Sequence, residues 1–232
     1  MSEIHISYFF RQPIVCTAVF ITIIPIVLIF VRRAYIDRVF LVLLTFLLIK
    51  LALDLIMFHY AALRINNIFF ENINVIIRYC LLSSLFYLNL ETRLFRRLLI
   101  VAMIAFVIFS IWEIITINPD FSDFHNHKGY IYASTIECIL MIFWILLYFY
   151  ETIRFLKIPN LLSYPFFWIC SGMLLYYCSI VFIAPLFHHT LKWEDWIDIG
   201  FLIYIPSIFE SIYLIFFSIG IWFFSVKNYA KQ

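Results

Sequence analysis

Long apolar stretches alternate with short polar connections along the whole chain. Each stretch holds about 17–25 residues with few charges, enough for a helix that crosses the roughly 30 Å hydrocarbon core of a bilayer. The stretches are continuously apolar, whereas the strands of a membrane β-barrel alternate apolar and polar residues. The pattern therefore predicts seven transmembrane helices, at residues 13–31, 39–60, 68–90, 98–117, 130–150, 164–187 and 196–224.

Composition supports a lipid environment. Of the 232 residues, 66% are hydrophobic and 13% are charged, whereas a soluble domain has roughly 45–50% apolar and about 25% charged residues. The connections are too short to fold as separate domains. We therefore expect residues 1–232 to form one all-α domain, a polytopic integral membrane protein with a seven-helix bundle and the lipid bilayer as its main partner.

The distribution of Lys and Arg predicts an orientation. Cytoplasmic loops retain an excess of positive charge, so the more basic set of connections is expected on that side, with the N-terminus outside, the C-terminus in the cytoplasm, and a bacterial inner membrane as the location. The net charge is only +2, and no dense basic tract suits nucleic acid. The residues of the basic side are Arg32, Arg33, Arg38, Arg93, Arg96, Arg97, Arg154, Lys157, Lys227 and Lys231, against Arg11, Arg64, Lys128 and Lys192 on the other.

A few charged residues fall inside the predicted spans, where a charge costs about 2.5–3.5 kcal/mol on insertion scales. Lys50 and Asp54 are four residues apart on one helix face and can pair. Two interpretations stay open. One is a polar cavity, open to the outside, that binds a small ligand or passes protons; the other is a salt-bridge network that fixes helix packing. The candidate residues are Lys50, Asp54, Arg78, Glu137 and Glu210.

The histidines gather on the predicted outer side. His125 and His127 lie in one outer connection, and His188 and His189 lie at the start of another, each with acidic residues close in sequence. Imidazole and carboxylate groups can bind a divalent metal, and imidazole can also register acid. The alternative is that hydrated loops simply hold the polar residues that the spans exclude.

The sequence also bears on classes of activity. It has no Walker, kinase, nucleophile-elbow or zincin motif, so we expect no enzymatic activity. The last predicted span has no lysine for a retinal Schiff base, and no other cofactor is predicted. Alternating-access transporters commonly have frequent glycine interruptions, and this chain has four glycines. A small transporter or proton-coupled carrier that uses the intramembrane carboxylates is therefore the second candidate function.

A resemblance to a known group adds to this picture. It is carried by the stretch at 165–177, Pro-Phe-Phe-Trp-Ile-Cys-Ser-Gly-Met-Leu-Leu-Tyr-Tyr, by Asn66-Asn67, by Glu137, and by the basic stretch at 91–97, Glu-Thr-Arg-Leu-Phe-Arg-Arg. With these the chain resembles small seven-helix inner-membrane proteins of Bacteroidetes, which are similar to the membrane sensor regions of bacterial histidine kinases. In such kinases the last helix continues into a signalling domain, whereas this sequence stops at Gln232, so we expect a stand-alone sensor or partner subunit.

Together these observations predict a sensor-like or accessory membrane component. We expect a ligand, proton or metal at the outer face to shift the interior charges and tilt the last two helices. A histidine kinase or another membrane signalling partner would read this movement at the cytoplasmic connections. The candidate partner contacts are Arg93, Arg96, Arg97, Arg154 and Lys157.

Overall fold

The structure is a computed structural model that describes residues 3–120, 126–129, 132–154, 161–190 and 204–224, without the side chains of Glu3 and of 184–190. Within these ranges the chain forms nine α-helices and two short 3₁₀ turns, Ala34–Ile36 and Leu161–Ser163, and no β-strand. The helices are α1 Glu3–Arg11, α2 Pro13–Ile21, α3 Ile23–Val31, α4 Arg38–Ala62, α5 Ile68–Asn89, α6 Arg93–Ile117, α7 Ala133–Arg154, α8 Pro165–Thr190 and α9 Ile205–Phe223.

Seven segments are long and apolar enough to cross a membrane, with α2 and α3 together forming the first. This confirms the predicted all-helical fold with seven spans. Large apolar side chains remain exposed along α6, including Val101, Ile104 and Ile108. An exposed apolar face of this size belongs in contact with lipid rather than water.

The first span is broken at Thr22, which the continuous apolar pattern did not predict. Pro25 lies in the first turn of α3, where it has no N–H to donate to Ile21, and its ring crowds that carbonyl group. The chain tightens here, so that the Thr22 N–H bonds to the carbonyl oxygen of Val19 at 3.3 Å. The proline therefore explains the break.

Several predicted boundaries are wrong. The fourth span begins at Arg93 rather than at 98, so the basic stretch that was expected to be a loop is the first turn of α6. The last described helix begins at Ile205, with Pro206 in its first turn, and the predicted start of this span at 196 lies outside the described residues. The short amphipathic helix α1 was not predicted, because polar residues interrupt its apolar positions.

Six of the spans form a closed ring. Around it, α4 packs on α5, α5 on α7, α7 on α8, and α8 on α9, while α9 contacts α2 and α3, and α3 contacts α4. The remaining span, α6, packs outside the ring on α5 and α7. Each ring helix thus has neighbours on both sides, and side chains from several helices can meet in the interior.

Consecutive spans run in opposite directions, so the connections gather at two ends. At the His127 end, the Asn66 side chain donates to the carbonyl oxygen of His127 at 2.9 Å. At the Glu151 end, Arg32 donates to the carbonyl oxygen of Trp222, and its guanidinium lies 4.4 Å from the Trp222 ring centroid. The predicted orientation would place the His127 end outside and the Glu151 end in the cytoplasm.

Candidate functional site

A cluster of three charged side chains joins α4 to α9. The Lys50 ammonium group bonds to Asp54, one turn along α4, and also to Glu210 on α9. Lys50 and Asp54 are buried, whereas the Glu210 side chain is 25% exposed. We call Lys50, Asp54 and Glu210 the carboxylate cluster. The expected pair of Lys50 with Asp54 is present, and Glu210 extends it to a second helix.

A second ionic group joins α5, α7 and α8. The Arg78 guanidinium donates from Nε and Nη2 to the two oxygens of Glu137, at 2.7 and 2.6 Å. The Tyr177 hydroxyl donates to the same carboxylate at 3.1 Å. Glu137 is fully buried. We call Arg78 and Glu137 the arginine pair. Their charges balance, and the two parallel hydrogen bonds between a guanidinium and a carboxylate make a strong ion pair.

Two tyrosines lie between the carboxylate cluster and the arginine pair. The rings of Tyr176 on α8 and Tyr213 on α9 have centroids 5.0 Å apart. Tyr176 directly precedes Tyr177, whose hydroxyl donates to Glu137, and Tyr213 lies one turn after Glu210 on α9. The five predicted residues therefore belong to one polar region that spans five helices, although they form two ionic groups.

The sequence interpretation did not include these tyrosines. In a span rich in aromatic residues a tyrosine looks like another large apolar side chain, although its hydroxyl needs a polar partner once it is buried. The predicted span at 164–187 holds no charged residue but has two consecutive tyrosines, at 176 and 177. This pair of hydroxyl groups is the signal that could have indicated a polar contact there.

The two ionic groups differ in charge balance. The arginine pair has one cation and one anion. The carboxylate cluster has one ammonium group and two carboxylates, so with all three ionised it carries one excess negative charge in a partly buried place. Burying an uncompensated charge is costly. One proton, or one small cation, would neutralise the cluster.

Three asparagines hold the connection between α6 and α7 at the His127 end. Besides the Asn66 bond, Asn72 and Asn118 each donate to the carbonyl oxygen of Lys128 at 3.1 Å, and Asn118 accepts from its N–H at 2.7 Å. His127 is buried, with its ring centroid 5.3 Å from that of Phe69. The backbone at 127–128 is therefore anchored to α5 and α6.

The predicted metal site falls mostly outside the described residues. His125 lies there entirely, as do the side chains of His188 and His189, so that prediction stays a prediction for these residues. Among the residues that the structure describes, no group of three or more His, Cys, Asp or Glu side chains could hold a metal ion. A histidine contact that the sequence did not predict joins α1 to α4, with 3.0 Å between His5 Nε2 and His59 Nδ1.

The predicted partner contacts lie at the Glu151 end. Arg93, Arg97 and Arg154 are exposed, and Lys157 lies outside the described residues. Arg96 is half-buried and donates to the carbonyl oxygen of Leu90, and its guanidinium lies 5.8 Å from the Tyr87 ring centroid. The Arg154 guanidinium likewise lies 6.0 Å from the Tyr150 ring centroid.

Two glutamates cap each other's helices across α6 and α7. At one end Glu151 of α7 accepts from the N–H groups of Glu91 and Thr92, at 3.0 and 3.1 Å, just before α6. At the other end Glu113 of α6 accepts from Tyr132 and Ala133, at 2.7 and 2.8 Å, where α7 begins. Carboxylates at helix N-termini satisfy free N–H groups and favour the dipole. Both glutamates are thus structural.

Small residues bring α8 and α9 together. A Cβ atom on Gly172 would lie 2.6 Å from the Phe216 Cβ, and one on Gly220 would lie 2.6 Å from the Pro165 carbonyl oxygen. Trp168 stacks on Phe223 with ring centroids 6.0 Å apart. The Phe-Trp-x-x-x-Gly element that carries the resemblance is therefore a packing element between these helices.

Comparison of the chain with protein-family models, with curated proteins and with solved structures gave no match in any of the three. The resemblance to histidine-kinase sensor regions accordingly stays a prediction from the motifs alone.

Proposed function

We propose that this chain is a non-enzymatic sensor-like subunit of a bacterial inner membrane, in which occupancy of the carboxylate cluster by a proton or small cation sets how α9 packs against α4. The observation that carries the proposal is the presence of two carboxylates on one ammonium group in a contact between two helices. A proton or cation that binds to the carboxylates changes the charge of the cluster and therefore the attraction between α4 and α9.

The movement follows from how α9 is held. Near the start of α9, the ionic contact to α4 runs through Glu210. Along its length α9 packs closely on α8, at Gly172 of α8 and Gly220 of α9. At the other end of α9, the guanidinium of Arg32, which follows the first span, donates a hydrogen bond to the carbonyl oxygen of Trp222. Protonation of Glu210 weakens the contact with Lys50. Because the far end is tethered, α9 responds by tilting together with α8.

The exposed arginines at the Glu151 end supply a surface for a partner. Arg93, Arg97 and Arg154 present positive charge where α6 begins and α7 ends. A partner with acidic side chains fits this surface, and a histidine kinase is the class that the resemblance implies. α7 connects the moving helices to this surface, because it packs on α8 and ends at Arg154.

The proposal is tested by measuring the separation of α4 and α9 as pH changes. Spin labels at Phe58 of α4 and Ser207 of α9, on the full chain in lipid nanodiscs, report this distance by double electron–electron resonance. We expect the distance to change between acidic and neutral pH in the unmodified chain and to stay constant in Glu210→Gln. Glu91→Gln, a carboxylate variant at the other end, is the matched control and should respond like the unmodified chain. A pH response that survives in the Asp54→Asn, Glu210→Gln double variant would exclude the proposal.

The same excess carboxylate favours a second function, a proton-coupled carrier, because carriers use groups that take up and release a proton or cation. Proteoliposomes that hold a pH dye and are loaded with sodium or potassium distinguish the two. A sensor should give no cation-dependent proton movement above that of empty liposomes. Movement that Glu210→Gln abolishes would instead identify a carrier.

A further inference from the structure

A groove lies between the amphipathic helix α1 and the end of α4, at the His127 end of the bundle. It has a volume of about 480 Å³, and its lining includes the arginines Arg11 and Arg64, the polar Ser7, Tyr8 and Gln12, and the apolar Ile4. Its described lining contains no Asp or Glu. The groove is separate from the carboxylate cluster and from the arginine pair.

In the part of the chain that the structure describes, no acidic side chain neutralises the positive charge of the groove. Among the described residues, neither Arg11 nor Arg64 has an ion pair or a side-chain hydrogen bond, whereas Arg78 has a buried carboxylate and Arg32 a backbone carbonyl group. Two guanidinium groups at one cavity repel each other unless an anion lies between them. The groove thus has the charge of an anion site.

The backbone places Arg64 at a fixed point. It follows the last turn of α4 with φ of 58°, and its N–H bonds to the carbonyl oxygen of Ala61 at 3.0 Å while that of Ile65 bonds to Tyr60 at 2.9 Å. This is the Schellman end of a helix, and its left-handed position usually holds glycine because a side chain is strained there. An arginine is found there instead, and its side chain lines the groove.

We propose that the Arg11–Arg64 groove binds a phosphate ester, specifically the phosphodiester headgroup of an anionic phospholipid. Each guanidinium can donate two parallel hydrogen bonds to phosphate oxygens, a geometry in which arginine is favoured over lysine. The Ser7 and Tyr8 hydroxyls are further donors.

Two further features fit a headgroup with its own hydroxyl groups, such as phosphatidylglycerol. The Oε1 atom of Gln12 is buried and has no hydrogen-bond partner, so it can accept from a headgroup hydroxyl. The Tyr8 phenol is protonated at neutral pH and can donate, and burial raises its pKa further above the usual value.

The position favours a lipid over free phosphate as the source of the anion. Arg11 lies two residues before the first span, and Arg64 lies two residues after the second, so both lie at the level where headgroups meet the hydrocarbon. Phe10 is 78% exposed and Ile4 is 52% exposed. These apolar side chains beside the groove suit the acyl chains of the same lipid.

The test measures thermal unfolding of the full chain in a neutral detergent, followed by tryptophan fluorescence. Dihexanoyl phosphatidylglycerol, dihexanoyl phosphatidylcholine and inorganic phosphate are each titrated below micelle-forming concentrations. We expect phosphatidylglycerol to raise the melting temperature of the unmodified chain saturably, with little effect of the other two compounds.

The variants separate a specific site from general charge attraction. Arg64→Gly removes the guanidinium while relieving the strained backbone, so the fold is kept, and Arg11→Gln removes the other. Each should raise the apparent Kd for phosphatidylglycerol by roughly tenfold or more, as expected for a lost charge-assisted hydrogen bond. Arg33→Gly is the matched control, because Arg33 has the same left-handed conformation, with φ of 55°, at the other end of the bundle, and it should leave the Kd unchanged.

Two results would overturn the proposal. In one, the Arg11→Gln, Arg64→Gly double variant binds phosphatidylglycerol as tightly as the unmodified chain, or Arg33→Gly weakens binding as much as Arg64→Gly. In the other, inorganic phosphate gives the same saturable rise at the same concentration, which would make free phosphate rather than a lipid the ligand.

Discussion

The charged side chains inside the bundle differ from one another in what neutralises them. Glu137 and Arg78 form a balanced pair, with both carboxylate oxygens bonded. Glu210 is the second carboxylate on Lys50. A buried charge that loses its single partner is strongly destabilising, whereas one that keeps another partner is not. Two conservative variants should therefore have very different effects.

We expect Glu137→Gln to lower the free energy of unfolding by about 3–5 kcal/mol, because it leaves the Arg78 guanidinium, whose side chain is 14% exposed, without an anion. Glu210→Gln should cost less than about 1 kcal/mol, because Asp54 still neutralises Lys50. Unfolding by titration with SDS in mixed micelles, followed by far-UV circular dichroism, measures both. If the two variants cost the same, Glu210 is as structural as Glu137 and the distinction between the two groups fails.

Residue by residue, the sequence predicted contacts within a helix better than contacts between helices. Lys50 and Asp54 could be paired from their spacing of four. The pairing of Arg78 with Glu137 depends on α5 and α7 being neighbours, which no local pattern encodes. Glu113 and Glu151 each cap the helix beside their own. Their role appears only once α6 and α7 are antiparallel neighbours.

At the scale of elements, the α8–α9 contact is the most extensive among the described helices, and it depends on close backbone approach. We expect Gly172→Ala to lower the free energy of unfolding by roughly 1–3 kcal/mol, because the added Cβ overlaps the base of the Phe216 side chain and the helices must separate. The same SDS titration measures the loss.

Gly129→Ala is the control for this prediction. Of the described atoms, a Cβ there would meet Ile68 Cγ2 alone, at 3.5 Å, which is ordinary van der Waals contact. Its stability should stay within about 0.5 kcal/mol of the unmodified chain, as for most surface substitutions. Equal losses for both variants would mean that the α8–α9 contact adapts to the extra methyl group.

The elements themselves were predicted where they are long and continuously apolar, and missed where charge or proline interrupts the pattern. All seven spans were predicted, because no other structure buries so many consecutive apolar residues in lipid. The start of α6 was missed, because Arg93, Arg96 and Arg97 have the composition of a loop although arginine is a good helix former. The break at Thr22 follows from Pro25, but a hydropathy pattern alone does not register it.

The whole molecule is polarised along the bundle axis. Among the described residues, five exposed arginines lie at the Glu151 end, whereas two lie at the His127 end, where asparagines hold the connection between α6 and α7. The five are Arg33, Arg38, Arg93, Arg97 and Arg154, and the two are Arg11 and Arg64. The carboxylate cluster and the Arg11–Arg64 groove lie toward the His127 end, because Glu210 is in the second turn of α9 and Arg64 follows the end of α4. Which end faces the outside therefore decides which compartment supplies the proton or cation and which leaflet supplies the lipid.

The excess of positive charge at the Glu151 end predicts that this end is cytoplasmic. Single cysteines at Lys128 and Arg97 test this, since both side chains are exposed, and the native cysteines lie inside spans, so that the unmodified chain gives the background. A membrane-impermeant maleimide should label Lys128→Cys in intact bacterial cells and Arg97→Cys only after permeabilisation. The opposite labelling would reverse the orientation. The carboxylate cluster would then respond to cytoplasmic rather than external protons, and the arginines that we assign to a cytoplasmic partner would face outward.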